Sequence, residues 1–229
     1  MACYSTVLSL VTNIWTMTLN STIGAEHWES RDIQAFWGEI APHDHLVQLY
    51  ESENIFLNTL EGFAGDGFLK GDTVAIISTP QHLALLEMRL LSHGFHLDQL
   101  KEEGKYITAD ADEAAAMFMV NDWPDEKLFN QYTSKLFAQA KANGTRLRIF
   151  GEIVNQLWDQ GKHGATVELE KLWPRLHHQK DFCLYCAYPK NVLTPQAKES
   201  IKEICNNHSK IIDGFSRPST EIHYRPSRA

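Results

Sequence analysis

The residues that could do chemistry fall into a few short groups. The first is Tyr50-Glu51-Ser52-Glu53-Asn54, between an apolar run that reads as a strand and a periodic run that reads as a helix. A phosphate-binding turn at such a position needs Gly-rich backbone and a Lys at the helix N-terminus. This turn has neither, and Glu51 and Glu53 bring negative charge to the place a phosphate would occupy. Like charges about 4 Å apart cost ~1 kcal/mol in water and several times that near a protein surface. A triphosphate is therefore disfavoured here, while Ser52 or Glu53 also suits a plain helix cap. The second group is Phe150-Gly151-Glu152, followed by Asn155 within one helical turn. A carboxylate there could serve as a base, as an acceptor for a ligand, or as a helix-start charge. Glu152 and Asn155 would share a face and could hold a polar group together.

Two further groups resemble metal sites. His43-Asp44-His45 lacks the i, i+4 spacing of helical His ligands, so His45 is open to three readings: metal ligand, polar ligand contact or structural histidine. Cys183-x-x-Cys186 has redox or zinc spacing but lies in a strand-like run, where positions i and i+3 face opposite ways. No second cysteine pair accompanies it, so neither a metal nor a cofactor is expected. Asp110 and Asp112 begin like a calcium loop, but the Gly and closing Glu are out of register. There is no G-x-S-x-G and no nucleophile–base spacing, and no catalysis is expected.

These groups need a frame, and the periodicity supplies one. Strand-like runs at His45 to Tyr50, Thr73 to Ile77, Lys105 to Thr108, Arg146 to Phe150 and Phe182 to Tyr188 alternate with helical patterns. Thr79-Pro80 opens one helix in the favoured way, a cap followed by proline at the first helical position. Asp122 to Asp125 introduces a long helix with Leu128, Tyr132, Leu136 and Ala140 as its stripe. Another helix carries Leu169, Leu172, Trp173 and Leu176 and is expected to break at Pro174. Ile201 to Ile212 reads as a final amphipathic helix. Alternation of this kind predicts an α/β fold, a mainly parallel sheet with helices on both faces and ligands at the carboxyl ends of the strands. One domain over residues 29–215 is expected, between an N-terminal extension over 1–28 and a disordered Ser/Pro/Arg-rich tail over 216–229. Met17 would make a plausible start, which leaves open whether residues 1–16 are native.

The 229 residues carry 29 acidic against 21 basic side chains, and no basic patch offsets the net charge of -8. Direct nucleic-acid binding is not expected. The densest basic stretch, Lys171 to Lys180, reads as a solvated helix face. Four cysteines are ordinary for a reduced cytosolic chain. No apolar run reaches membrane-span length, and the N-terminus lacks the basic region of a signal peptide, so a cytoplasmic protein is expected.

Five segments in order resemble the MEDS domain, the sensory domain of a methanogen and methylotroph regulator. They are His45-Leu-Val-Gln-Leu-Tyr50-Glu51, Gly71-Asp-Thr-Val-Ala-Ile-Ile-Ser-Thr-Pro80-x-His82, Gly94-x-x-Leu97-Asp98, Phe150-Gly151-Glu152-x-Val154 and Cys186-Ala187-Tyr188-Pro189. The resemblance spans about Asp44 to Val192. It implies a RecA-like three-layer architecture that has lost its phosphate loop, which agrees with the charge argument at Glu51 and Glu53. It also implies sensing of a small organic molecule beside a histidine kinase or a transcription regulator. No such module is visible in the sequence, so a stand-alone sensor with a signalling partner is expected. The expected ligand contacts are His45, Tyr50, Glu51, Thr79, His82, Glu152, Asn155 and Tyr188. The alternatives are a ligand-free adaptor, marked by an exposed apolar face on the last helix, and a residual nucleotide hydrolase.

Overall fold

The computed structural model describes residues 40–41, 43–177, 180, 182–192, 198–214 and 221–224. The extension over 1–28 lies outside the described residues, as does the tail over 216–229 apart from one short strand.

The first unit is β1 (His45–Tyr50) followed by α1 (Glu53–Leu69). Next come β2 (Thr73–Ser78), α2 (Pro80–Ser92), α3 (Leu97–Glu102) and β3 (Tyr106–Asp110). A short helix α4 (Ala111–Ala116) leads into a small hairpin, β4 (Met119–Val120) and β5 (Trp123–Pro124). Then follow α5 (Glu126–Ala142), β6 (Leu147–Gly151), α6 (Ile153–Asp159), α7 (His163–His177) and β7 (Cys183–Pro189). The chain closes with α8 (Lys198–Asn207), β8 (Lys210–Gly214) and β9 (Glu221–Tyr224). The main sheet has the order β3-β2-β6-β7-β1-β8-β9, and every pairing is parallel except β8 with β9. This is the expected α/β architecture.

Strand alternation divides the core between the two faces of the sheet. Leu46, Val74, Ile76, Phe150 and Tyr185 pack with α1, α2 and α3 on one face. Val47, Ala75, Ile77, Ile149 and Leu184 pack with α4 to α8 on the other. Both faces are covered, which is why the strands read as continuous apolar runs rather than alternating ones. The same alternation sends Cys183 to one face and Cys186 to the other, so the two thiols do not form a pair.

The approach of α1 to the sheet depends on Gly67. A Cβ at this position would lie 2.7 Å from Val74 Cγ2 and 3.0 Å from Arg148 Cδ. Arg148 is itself buried, with Nη2 2.7 Å from Asp66 Oδ2 and Nε 2.8 Å from Asp72 Oδ2. Two carboxylates and the Phe63 carbonyl thus satisfy a charge that could not otherwise be desolvated.

Four sequence expectations are corrected. The run from Ile201 to Ile212 is not one helix: α8 ends at Asn207, and Lys210–Gly214 pairs with β1 as a parallel strand. An exposed β1 edge would leave backbone groups unpaired, and this need outweighs helical periodicity. Ile201, Ile204 and Cys205 are buried, so the exposed apolar face expected of an adaptor is not there. Pro174 does not break its helix; α7 runs through it, held by buried Leu172, Trp173 and Leu176. On α5 Leu136 and Ala140 of the expected stripe are buried, but in the first half of the helix Phe129 and Thr133 lie inside and Leu128 and Tyr132 at the margin. Phe129 sits edge-on to Phe118 and Trp173, at 5.4 and 4.8 Å between ring centroids. Among the described residues no helix is long and apolar enough to cross a membrane.

Candidate functional site

After β2 the chain turns to one face of the sheet through α2, and after the neighbouring β6 it turns to the other through α6. A crevice must open at the carboxyl edge where adjacent connections diverge, and this is where ligands bind in open α/β sheets. The last residues of these strands supply Ser78 and Gly151, followed by Thr79 and Glu152. The Glu152 N–H donates to the Ile77 carbonyl at 2.8 Å, which fixes the carboxylate against the end of β2.

Glu152 is 4% exposed and its carboxylate accepts from three sides. Ser78 Oγ donates to Oε2, the Thr79 N–H reaches the same oxygen at 3.1 Å, and His82 Nδ1 donates to Oε1 at 2.7 Å. Thr79 also caps α2, its hydroxyl accepting from the His82 N–H at 3.2 Å. One cap therefore aims both Thr79 and His82 at the carboxylate. The outer nitrogen of His82 donates to Glu53 Oε1 at 3.1 Å, so the imidazole is held between two carboxylates. Phe56 lines this assembly, edge-on to His82 at 5.0 Å and stacked on Tyr50 at 5.1 Å.

The electrostatics follow from burial and these contacts. Burial works against a charged Glu152, but hydrogen bonds from His82 and Ser78 outweigh it and hold the carboxyl below the ordinary range. The bond to Glu152 raises His82 above the usual imidazole value, against the opposing effect of burial. Burial, and then the negative charges of Glu152, Asp159 and Glu53, push the Tyr50 phenol up. Burial and the charge of Glu152 raise Asp159. The crevice thus favours the protonated form of His82 among several carboxylates. In the protonated form both ring nitrogens of His82 donate to carboxylates. Ser78 is fully buried and already bound to Glu152. The arrangement is suited to holding charge and accepting hydrogen bonds.

Space lies beside it. Gly151 is buried, yet among the described residues a Cβ built there would meet no atom within 4 Å. Asn155, one turn along α6, is 7% exposed and its Oδ1 has no hydrogen-bond partner among the described residues.

The turn after β1 is very short. Only Glu51 and Ser52 separate the strand from α1. The Ser52 hydroxyl accepts from the Ile55 N–H at 3.4 Å, and Glu51 is paired with Lys190 at 3.2 Å. A loop that wraps phosphate with successive backbone N–H groups does not fit in two residues.

The eight sequence candidates are divided by the structure. Thr79, His82 and Glu152 form one hydrogen-bonded unit, Tyr50 joins it through Phe56, and Glu51 and Asn155 stand nearby on the flanking turn and helix. Tyr188 and His45 point elsewhere: Tyr188 donates to Glu170 Oε1 at 2.6 Å, and His45 Nε2 lies 3.7 Å from Glu170 Oε2. Ser78 and Asp159 were not singled out by the sequence, and Glu53 was noted only for its charge and as a possible helix cap. The end of a strand just before a helix cap is the one signal that marked Ser78.

A family model described as MEDS, the methanogen/methylotroph DcmR sensory domain, matches residues 44–209. Among solved structures, a protein of Pyrococcus horikoshii OT3 superposes with a TM-score of 0.50 at 9% identity, over 80% of this chain and 88% of its own. A KaiC-like protein from the same archaeon gives 0.50 at 11% identity, over 75% and 72%. The flagellar accessory protein FlaH of Methanocaldococcus jannaschii gives 0.48 at 12%, over 80% and 77%. No curated protein matches the chain. The KaiC-like neighbour agrees with a RecA-like fold, and likeness at these identities speaks to the fold alone.

Proposed function

The chain belongs to the MEDS family of sensory domains, and from that premise we propose that it takes up a small organic molecule at the carboxyl edge of its sheet and passes the bound state to a regulatory partner without chemical turnover. The observation that carries this reading is the buried Glu152, held ionised by Ser78, Thr79 and His82 beside the open space at Gly151. A carboxylate built into the crevice with oxygens facing His82 and Thr79 favours a neutral polar or cationic ligand over an anionic one. Glu53, Glu51 and Asp159 reinforce the preference. The phosphate site of a nucleotide-binding relative is replaced by a two-residue turn with two acidic side chains at its edge, Glu51 and Glu53. The partner, a histidine kinase or transcription regulator, follows from the sensory character of the family.

The test is a thermal-shift screen of the purified chain against small neutral, cationic and anionic organic compounds, with Glu152→Gln in parallel. A true ligand at about 100 times its Kd adds ~2.7 kcal/mol of stability. For a domain of this size that is a rise of several degrees in Tm. Neutral polar or cationic compounds are expected to produce it, and Glu152→Gln to abolish it. A hit that is anionic, or that shifts the variant as much as the native chain, would contradict the reading.

A further inference from the structure

His45, at the start of β1, lies in a cluster at some remove from Glu152. With it are Cys186 from β7, Glu170 from α7 and His208 between α8 and β8. The four residues are between 0% and 3% exposed. One ligand atom from each lies within 4.8 Å of every other. We propose that these four side chains form a closed, structural metal site suited to zinc.

The spacing fits a tetrahedral ion. His45 Nε2 is 3.7 Å from Glu170 Oε2 and 3.7 Å from Cys186 Sγ, and His208 Nε2 is 3.5 Å from Glu170 Oε2. With metal–ligand distances of about 2.0–2.3 Å, tetrahedral geometry separates neighbouring ligand atoms by about 3.3–3.8 Å. The two N···O distances are too long for hydrogen bonds, while the Cys186–His45 contact is within reach of a weak hydrogen bond to sulfur. Glu170 Oε2 makes no hydrogen bond among the described residues.

The outer contacts orient the donors. His45 Nδ1 lies 2.8 Å from the Asn207 carbonyl, and His208 Nδ1 lies 2.7 Å from the Ile204 carbonyl. A carbonyl only accepts, so each Nδ1 carries a proton, and a ring that is neutral with this tautomer turns its Nε2 lone pair toward the centre. The Tyr188 hydroxyl engages Glu170 Oε1 and leaves Oε2 facing the same centre. Backbone carbonyls behind histidines and a hydroxyl behind a carboxylate are the outer shell that metal ligands characteristically have. An ion would bind as the Cys186 thiol gives up its proton. Two histidines, a thiolate and a carboxylate suit zinc, and four protein ligands with no exposure leave no open position for catalysis. The ion would tie β1, β7, α7 and the α8–β8 junction together.

The test uses the full chain. Demetallated protein is titrated with zinc, and separately with cobalt(II) as a spectroscopic probe. We expect about one ion per chain, a higher Tm with zinc, and tetrahedral cobalt absorption with a thiolate charge-transfer band. Cys186→Ser should remove that band, His208→Gln should weaken zinc by more than about tenfold, and Cys183→Ala, on the opposite sheet face, should leave both unchanged. Sub-stoichiometric zinc after dialysis, octahedral cobalt, or a thiolate band that survives in Cys186→Ser would overturn the proposal. Should a variant fail to fold, the cobalt spectrum of the native chain still decides it. None of these readouts depends on the ligand at Glu152.

Discussion

Glu152 and His82 owe their character to one contact, and its pH dependence can be worked out from the directions of their shifts. His82 is raised above 6.5 in the folded chain, so its stabilising effect is complete below 6.5 and is lost as pH rises through the folded value. Glu152 is lowered below 4.5, so its contribution is present above 4.5 and is lost as pH falls through its folded value. The pair should contribute most between those limits. Urea unfolding at a series of pH values should show His82→Gln losing ~1–3 kcal/mol near pH 6, the usual scale for a hydrogen bond to a charged group. The gap to the native chain should close as pH rises. A gap that stays constant to pH 9 would mean that His82 is not charged in the pair. Of the residues concerned, Glu152 and Thr79 were legible because each follows a strand end, and His82 because it lies in a segment that resembles the family. Ser78 and Asp159 were not, because their parts depend on where Glu152 points.

Among elements, the α1–β2 contact shows what glycine does here. Adding a Cβ at Gly67 drives it into Val74 and Arg148, neither of which has room to move in a doubly covered sheet. Gly67→Ala should cost roughly 1–3 kcal/mol, seen as a lower urea midpoint with an unchanged slope. Gly151→Ala meets no neighbour and should stay within about 0.5 kcal/mol of the native chain. Equal losses at the two positions would remove the argument for open space beside Glu152. The helix caps were readable in advance, because Thr79 and Asp125 announce their helices by residue type. The end of α8 was not, because Ile201 to Ile212 satisfies a helical period throughout. His208 leaves the helix to meet the chain around β1, where the Ser209 N–H donates to the His45 carbonyl at 2.8 Å.

For the whole molecule, a nucleotide-type fold meets a turn that has no place for phosphate. Calorimetry with magnesium and ATP should detect no binding in the micromolar range, and micromolar affinity weakened by a change in Tyr50 to Asn54 would defeat that expectation. The sequence by itself determined the alternation of strands and helices, the parallel sheet, the loss of the phosphate turn and the carboxylate at the end of β6. Each of these is a local statement, carried by periodicity, caps or charge within a few residues. Only the tertiary structure decided which of the eight candidate residues meet. It joined His82 to Glu152 across two strands, and it gathered His45, Glu170, Cys186 and His208 from separate elements. The spacing between such residues along the chain carries no signal, because parallel strands and their crossovers bring together positions tens of residues apart. The turn after Tyr50 was first legible as a charge pattern. The structure added that it is two residues long, capped by Ser52, and that Glu53 has been recruited to hold His82.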